Sequence, residues 1–106
     1  MTQFDDRKKS FEAKFAHDAE TQFKVEARRN RLLGEWAAGK LGKSGDAGAA
    51  YAKEVVKADF QEAGDEDVYR KVRGDLGPDV SDDEIRTKMT RLREEAKRQV
   101  MEEQAE

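Results

Sequence analysis

Cysteine is absent from this 106-residue chain, so neither a disulfide framework nor a thiolate metal site can form, which fits a reducing compartment. There is one histidine, His17, which excludes a metal site built on two imidazoles and leaves an exposed residue at a hinge as its plain reading. There is one proline, Pro78, so helical stretches run far without interruption. Apolar runs extend only a few residues, and the opening MTQFDDRKKS has no apolar signal segment. These features describe a soluble, cytoplasmic chain with no direct membrane insertion. An excess of positive charge is missing too: the net charge is −3, with acids and bases interleaved. A nucleic-acid partner is excluded on that ground, because binding a phosphate backbone takes a basic surface.

What the chain does have is charge, at 42%, and helical periodicity. Composition alone borders on that of solvated or unfolded sequence, but the spacing of apolar residues argues for folding. The expected class is all-α: a small four-helix bundle over residues 20–106, preceded by a helical or partly disordered arm over residues 1–19.

On a helical wheel, Phe4, Phe11 and Phe15 lie within roughly 40° of one another and form a narrow aromatic stripe. Its continuation meets Asp18, Gln22, Glu26 and Arg29, whereas Ala16, Ala19, Phe23, Ala27, Ala37 and Leu41 form a face turned by about 100°. The change near His17 implies two partners for two segments. Three phenylalanines on about three turns are marginal alone in water, so the arm is expected to fold fully when docked. Beyond it, Phe23 to Leu41 is expected to face the chain's own core, with Leu32, Leu33 and Trp36 widening the apolar side.

Gly39, Gly42, Gly45 and Gly48 end that helix, and Ser44 or Asp46 can cap the next. The next helix is expected over about 47–63, with Tyr51, Ala52, Val55, Val56 and Phe60 inward and Gly64 as its stop. A short helix capped by Asp65 turns Val68, Tyr69, Val72 and Leu76 inward. The last opens on a capping box of Ser81 and Glu84 and carries the seam Ile85, Met89, Leu92, Ala96 and Val100.

Most candidate chemistry has a plain explanation. Gly42, Lys43 and Ser44 resemble the end of a phosphate loop, but the required first glycine is Ala37 and no strand precedes it. Weak nucleotide binding by another route stays open. The acidic groups Asp65–Asp67 and Asp79–Glu84 precede helices, where carboxylates favour the dipole, and lack the ligand alternation of a calcium loop. Arg28, Arg29, Arg31, Arg86, Lys88, Arg91, Arg93, Lys97 and Arg98 are interrupted by acids and read as solvated helix faces. Phe4, Phe11 and Phe15 are either a helix packing twice within one bundle or anchors for another protein's groove.

The opening FDDRKKSFEAKFAHD, the continuation FKVEARRNRLLGEWAA, the segment YAKEVVKADFQEAGDEDV and the late SDDEIR resemble the zeta subunit of alphaproteobacterial F-type ATP synthases, in order over nearly the whole chain. The resemblance implies a four-helix inhibitor of ATP hydrolysis, with no catalysis and no cofactor of its own. It implies that the N-terminal segment enters an interface between catalytic alpha and beta subunits near the gamma shaft and blocks rotation, at the membrane periphery. Within that segment, residue chemistry selects Phe4, Arg7, Lys8, Phe11, Lys14 and Phe15 as the partner-binding set. The Gly39–Gly48 loop is richer in glycine than the family leads one to expect. A different class of function, a helical bundle that senses a nucleotide or other metabolite, stands as the alternative.

Overall fold

The computed structural model describes the backbone of residues 3–58 and 65–104, and the side chains from Lys8 onward within those ranges. Five helices follow one another: α1 (Gln3–His17), α2 (Ala19–Lys40), α3 (Gly45–Ala58), α4 (Glu66–Asp75) and α5 (Asp82–Gln104). Among the described residues there is no strand, as the periodicity requires.

The long helix α2 is the central element, packing along α3 on one side and α5 on the other. Side-chain pairs fix α5 antiparallel to it: Lys40 reaches Glu84 at 3.5 Å, and Arg28 donates to Gln99 at 2.8 Å and to Glu103 at 2.6 Å. Helix α3 returns beside α2 through a tight turn in which Gly42 and Gly45 take positive φ, 74° and 55°, conformations that glycine adopts without steric cost. The main core lies where α2, α3, α4 and α5 meet, with Leu33, Val55, Val68, Val72 and Ile85 fully buried. Tyr51, also in this core, donates its hydroxyl to Asp75 Oδ2 at 2.9 Å, and burial pushes its pKa up. A second, smaller cluster joins Phe11 of α1 to Val25, Ala96 and Val100.

The late helices agree closely with the periodicity. Val68, Val72 and Leu76 point inward from α4, and Ile85, Met89, Ala96 and Val100 form the seam of α5, with Leu92 half-buried. Ser81 Oγ accepts from the Glu84 backbone N–H at 3.1 Å, which supplies one half of the expected capping box. The other half differs, because the Glu84 carboxylate reaches across to Lys40. The proposed continuation of α3 through Asp59, Phe60 and Gly64 lies outside the described residues.

Three expectations need correction. Phe23 is 55% exposed, and Ala16 and Ala19 are exposed with it; the buried side of α2 runs instead through Thr21, Val25, Arg29, Asn30, Leu33, Gly34, Ala37 and Ala38. The break at Asp18 puts Ala16 on a different helix, and within α2 the wheel counts Ala19, Phe23, Ala27 and Ala37 alike although only Ala37 is fully buried, because the wheel gives angle and not which neighbours lie alongside each turn. Arg29 is not a solvated base: it is 1% exposed, donates from Nη2 to Asp65 Oδ1 at 2.9 Å and from Nε to Asn30 Oδ1 at 2.6 Å. Asp65 accordingly makes no side-chain cap for α4, since its carboxylate is committed to Arg29. Arg28, Arg93 and Lys97 likewise join helices rather than simply solvating one.

Candidate partner-binding arm

Helix α1 ends at His17, and Asp18 starts α2 with an extended backbone, φ −111° and ψ 106°. Its Oδ1 accepts from the Glu20 N–H at 3.0 Å, satisfying a free backbone donor of the α2 N-terminus, and its Oδ2 accepts from the Thr21 hydroxyl at 3.1 Å. The Thr21 hydrogen bond in particular holds the Asp18 carboxyl below its ordinary pKa. The sequence signal near His17 therefore marks a real boundary between two helices, and His17 itself is exposed there. Gln22 closes the junction by donating its amide to the free carbonyl of Phe15 at 2.7 Å.

Of the six residues selected from the sequence, Phe4 and Arg7 have side chains outside the described residues. Lys8 and Lys14 are exposed. Phe11 is 7% exposed and Phe15 half-buried, their ring centroids 6.3 Å apart with planes inclined by 25°. The structure thus brings the two phenylalanines together, against the chain's own Val25, Leu32, Ala96, Val100 and Met101.

The polar frame around this contact was not visible as a unit in the sequence. Lys97 Nζ lies 3.3 Å from Glu12 Oε2 and 4.7 Å from the Phe15 ring centroid. Arg93 approaches the same ring at 5.8 Å while bonding Glu26 at 3.4 Å. Two cations near one aromatic ring form attractive cation–π contacts, which gain strength as water is displaced. Along the open flank of this contact runs a groove of about 220 Å³, bordered by Lys8, Phe11, Glu12, Lys97 and Met101. Among the described residues no group of three or more histidine, cysteine, aspartate or glutamate side chains could hold a metal ion, and no helix is long and apolar enough to cross a membrane.

No curated protein matches the chain. A solution NMR structure of a related protein is 60% identical to it, covering 77% of this chain and 96% of its own, with a TM-score of 0.72. The family model described as ATPase inhibitor subunit zeta matches residues 1–99, a span that includes the first helix, the junction at Asp18 and most of α5. The chain belongs to the ATPase inhibitor subunit zeta family.

Proposed function

We propose that this chain inhibits ATP hydrolysis by the F-type ATP synthase through α1, while α2 to α5 form the four-helix body that holds it in place. The family match across residues 1–99 carries this reading, because it joins an inhibitor identity to a chain whose first helix is set apart at Asp18. The arm enters an interface between catalytic alpha and beta subunits beside the gamma shaft, in the cytoplasm at the membrane periphery. Phe4, Phe11 and Phe15 anchor it, and Arg7, Lys8 and Lys14 line its rim.

A helix wedged into one rotational state of a motor inhibits by differential binding, and taking that state from 1:99 to 99:1 requires about 5.5 kcal/mol. Burial of an exposed phenylalanine contributes about 1.5–3 kcal/mol, and Phe11 and Phe15 contribute only the excess over their contacts in the free chain, before ordering costs are subtracted. No catalytic group on the chain is needed.

Deleting residues 2–18 tests the reading. The truncated chain should keep its α2–α5 helicity and lose inhibition of the purified ATP synthase in an ATPase titration. Retained inhibition at the original half-maximal concentration would remove the arm from the mechanism.

A further inference from the structure

Two of the residues proposed to enter the partner, Phe11 and Phe15, are already engaged within the chain. Phe11 is almost wholly buried against α2 and α5, and Phe15 lies beneath Lys97 and Arg93. A side chain that is satisfied within its own fold cannot fill another protein's groove at the same time. The junction at Asp18 supplies a place for the arm to turn: the Asp18 carboxylate caps α2 through Glu20 and Thr21, contacts that belong to α2 and do not depend on where α1 lies.

We propose that α1 and α5 form an autoinhibitory latch. The closed arm sits on α5 through Phe11 and Phe15, locked by the Glu12–Lys97 pair, and it opens about Asp18 before it engages the ATP synthase. This inference rests on the inhibitory reading of α1 given above. In the closed state Phe11 and Phe15 are held against the body; in the open state they are presented and the α5 cleft is left behind. The apparent affinity for the partner is then the intrinsic affinity reduced by the open fraction, so the strength of the latch sets inhibitory potency. Lys97 is the polar group that can be altered without removing the apolar contact, and its one ammonium serves both Glu12 and the Phe15 ring. Replacing it with glutamate removes both attractions and sets two carboxylates against each other.

The absence of native cysteine makes the test direct, since introduced thiols are unique. In the full-length double variant Glu12→Cys/Lys97→Cys, a short bis-maleimide with a disulfide in its spacer ties the arm to α5. Reducing the spacer frees the arm while leaving the same adduct on each residue. The bridged chain should inhibit the ATP synthase at least tenfold more weakly than the same chain after reduction. Equal half-maximal concentrations before and after reduction would overturn the latch. Uncrosslinked Lys97→Glu should inhibit at a several-fold lower concentration than the unaltered chain, and an unchanged or higher concentration would also count against it. If the unaltered chain does not inhibit at all, the functional reading fails beneath the latch, an outcome distinct from equal inhibition by the bridged and freed forms.

Discussion

Asp65→Ala is expected to destabilise the chain by about 3 kcal/mol, the lower end of what is lost when one partner of a buried ion pair is removed. The asymmetry of the pair sets this magnitude. Arg29 is 1% exposed, whereas the Asp65 side chain is 43% exposed, so the substitution leaves a guanidinium inside the fold with its carboxylate gone. Its remaining bond, from Nε to Asn30 Oδ1, is to a neutral group, and Asn30 Nδ2 already has no partner among the described residues. In a domain of this size the loss corresponds to a fall in Tm of more than about 10 °C. The double variant Arg29→Met/Asp65→Ala should recover part of it, because a thioether of similar length fills the site without charge although Asn30 Oδ1 loses its donor. If the double variant is as unstable as Asp65→Ala alone, packing around Arg29 rather than its charge sustains the site.

The same pair gives a pH dependence with a definite sign. The hydrogen bond from Arg29 holds the Asp65 carboxyl below its ordinary value of 3.8. A group with a depressed folded-state pKa contributes stability that is complete above its unfolded value and lost as pH falls through the folded one. Stability due to this pair should therefore be level from neutral pH to about 5 and decline below about 4. Asp65→Asn should flatten that part of the acid limb.

The second large effect is steric. A Cβ at Gly34 would lie 2.6 Å from Ala52 Cα, 3.1 Å from its Cβ and 3.3 Å from its carbonyl oxygen. The obstruction is largely backbone, so no rotamer change relieves it, and α2 and α3 must move apart. Gly34→Ala should cost about 2 kcal/mol by overpacking, even though alanine is favoured over glycine in a helix by up to about 1 kcal/mol. Gly39→Ala provides the contrast within the same helix. Nothing lies within 4 Å of its added Cβ, so the propensity gain stands alone and the substitution should be neutral or slightly stabilising. Equal effects at the two positions in a urea titration would contradict the close approach of α2 and α3.

These two sites show why α2 was less legible in the sequence than α4 and α5. In α5 every inward position from Ile85 to Val100 is apolar, so spacing alone identifies the seam. In α2 the buried side includes Thr21, Arg29, Asn30 and Gly34, residue types that normally mark a surface or a turn. The partner that makes Arg29 tolerable, Asp65, is 36 residues away in sequence and reads locally as a helix cap. Gly34 is inward because Ala52 is close, a property of the packed pair rather than of either segment. Phe23 then drew the eye to the wrong side, being large and apolar yet 55% exposed.

The arm was legible in a different respect. The change in patterning near His17 located the boundary to within one residue of Asp18, and the phenylalanine spacing brought Phe11 and Phe15 onto one face. Periodicity could not say what that face touches in the unbound chain. The two cations over Phe15 come from α5, and each also has an acidic partner on another helix. They read in the sequence as one more charged helix surface, because in a chain with 42% charged residues nothing distinguishes the basic residues that bridge helices from those that only meet water.

The central claim is that one short helix has two destinations, its own α5 and the ATP synthase. The measurement closest to that claim is the distance between spin labels placed at the exposed positions Ala13 and Arg91, read by pulsed electron resonance in the full-length chain. Free in solution, the labels should report the short separation of the docked arm. With the purified ATP synthase present and hydrolysis inhibited, the distribution should move to longer distances as α1 leaves α5. An unchanged short distance in the fully inhibited complex would contradict the account.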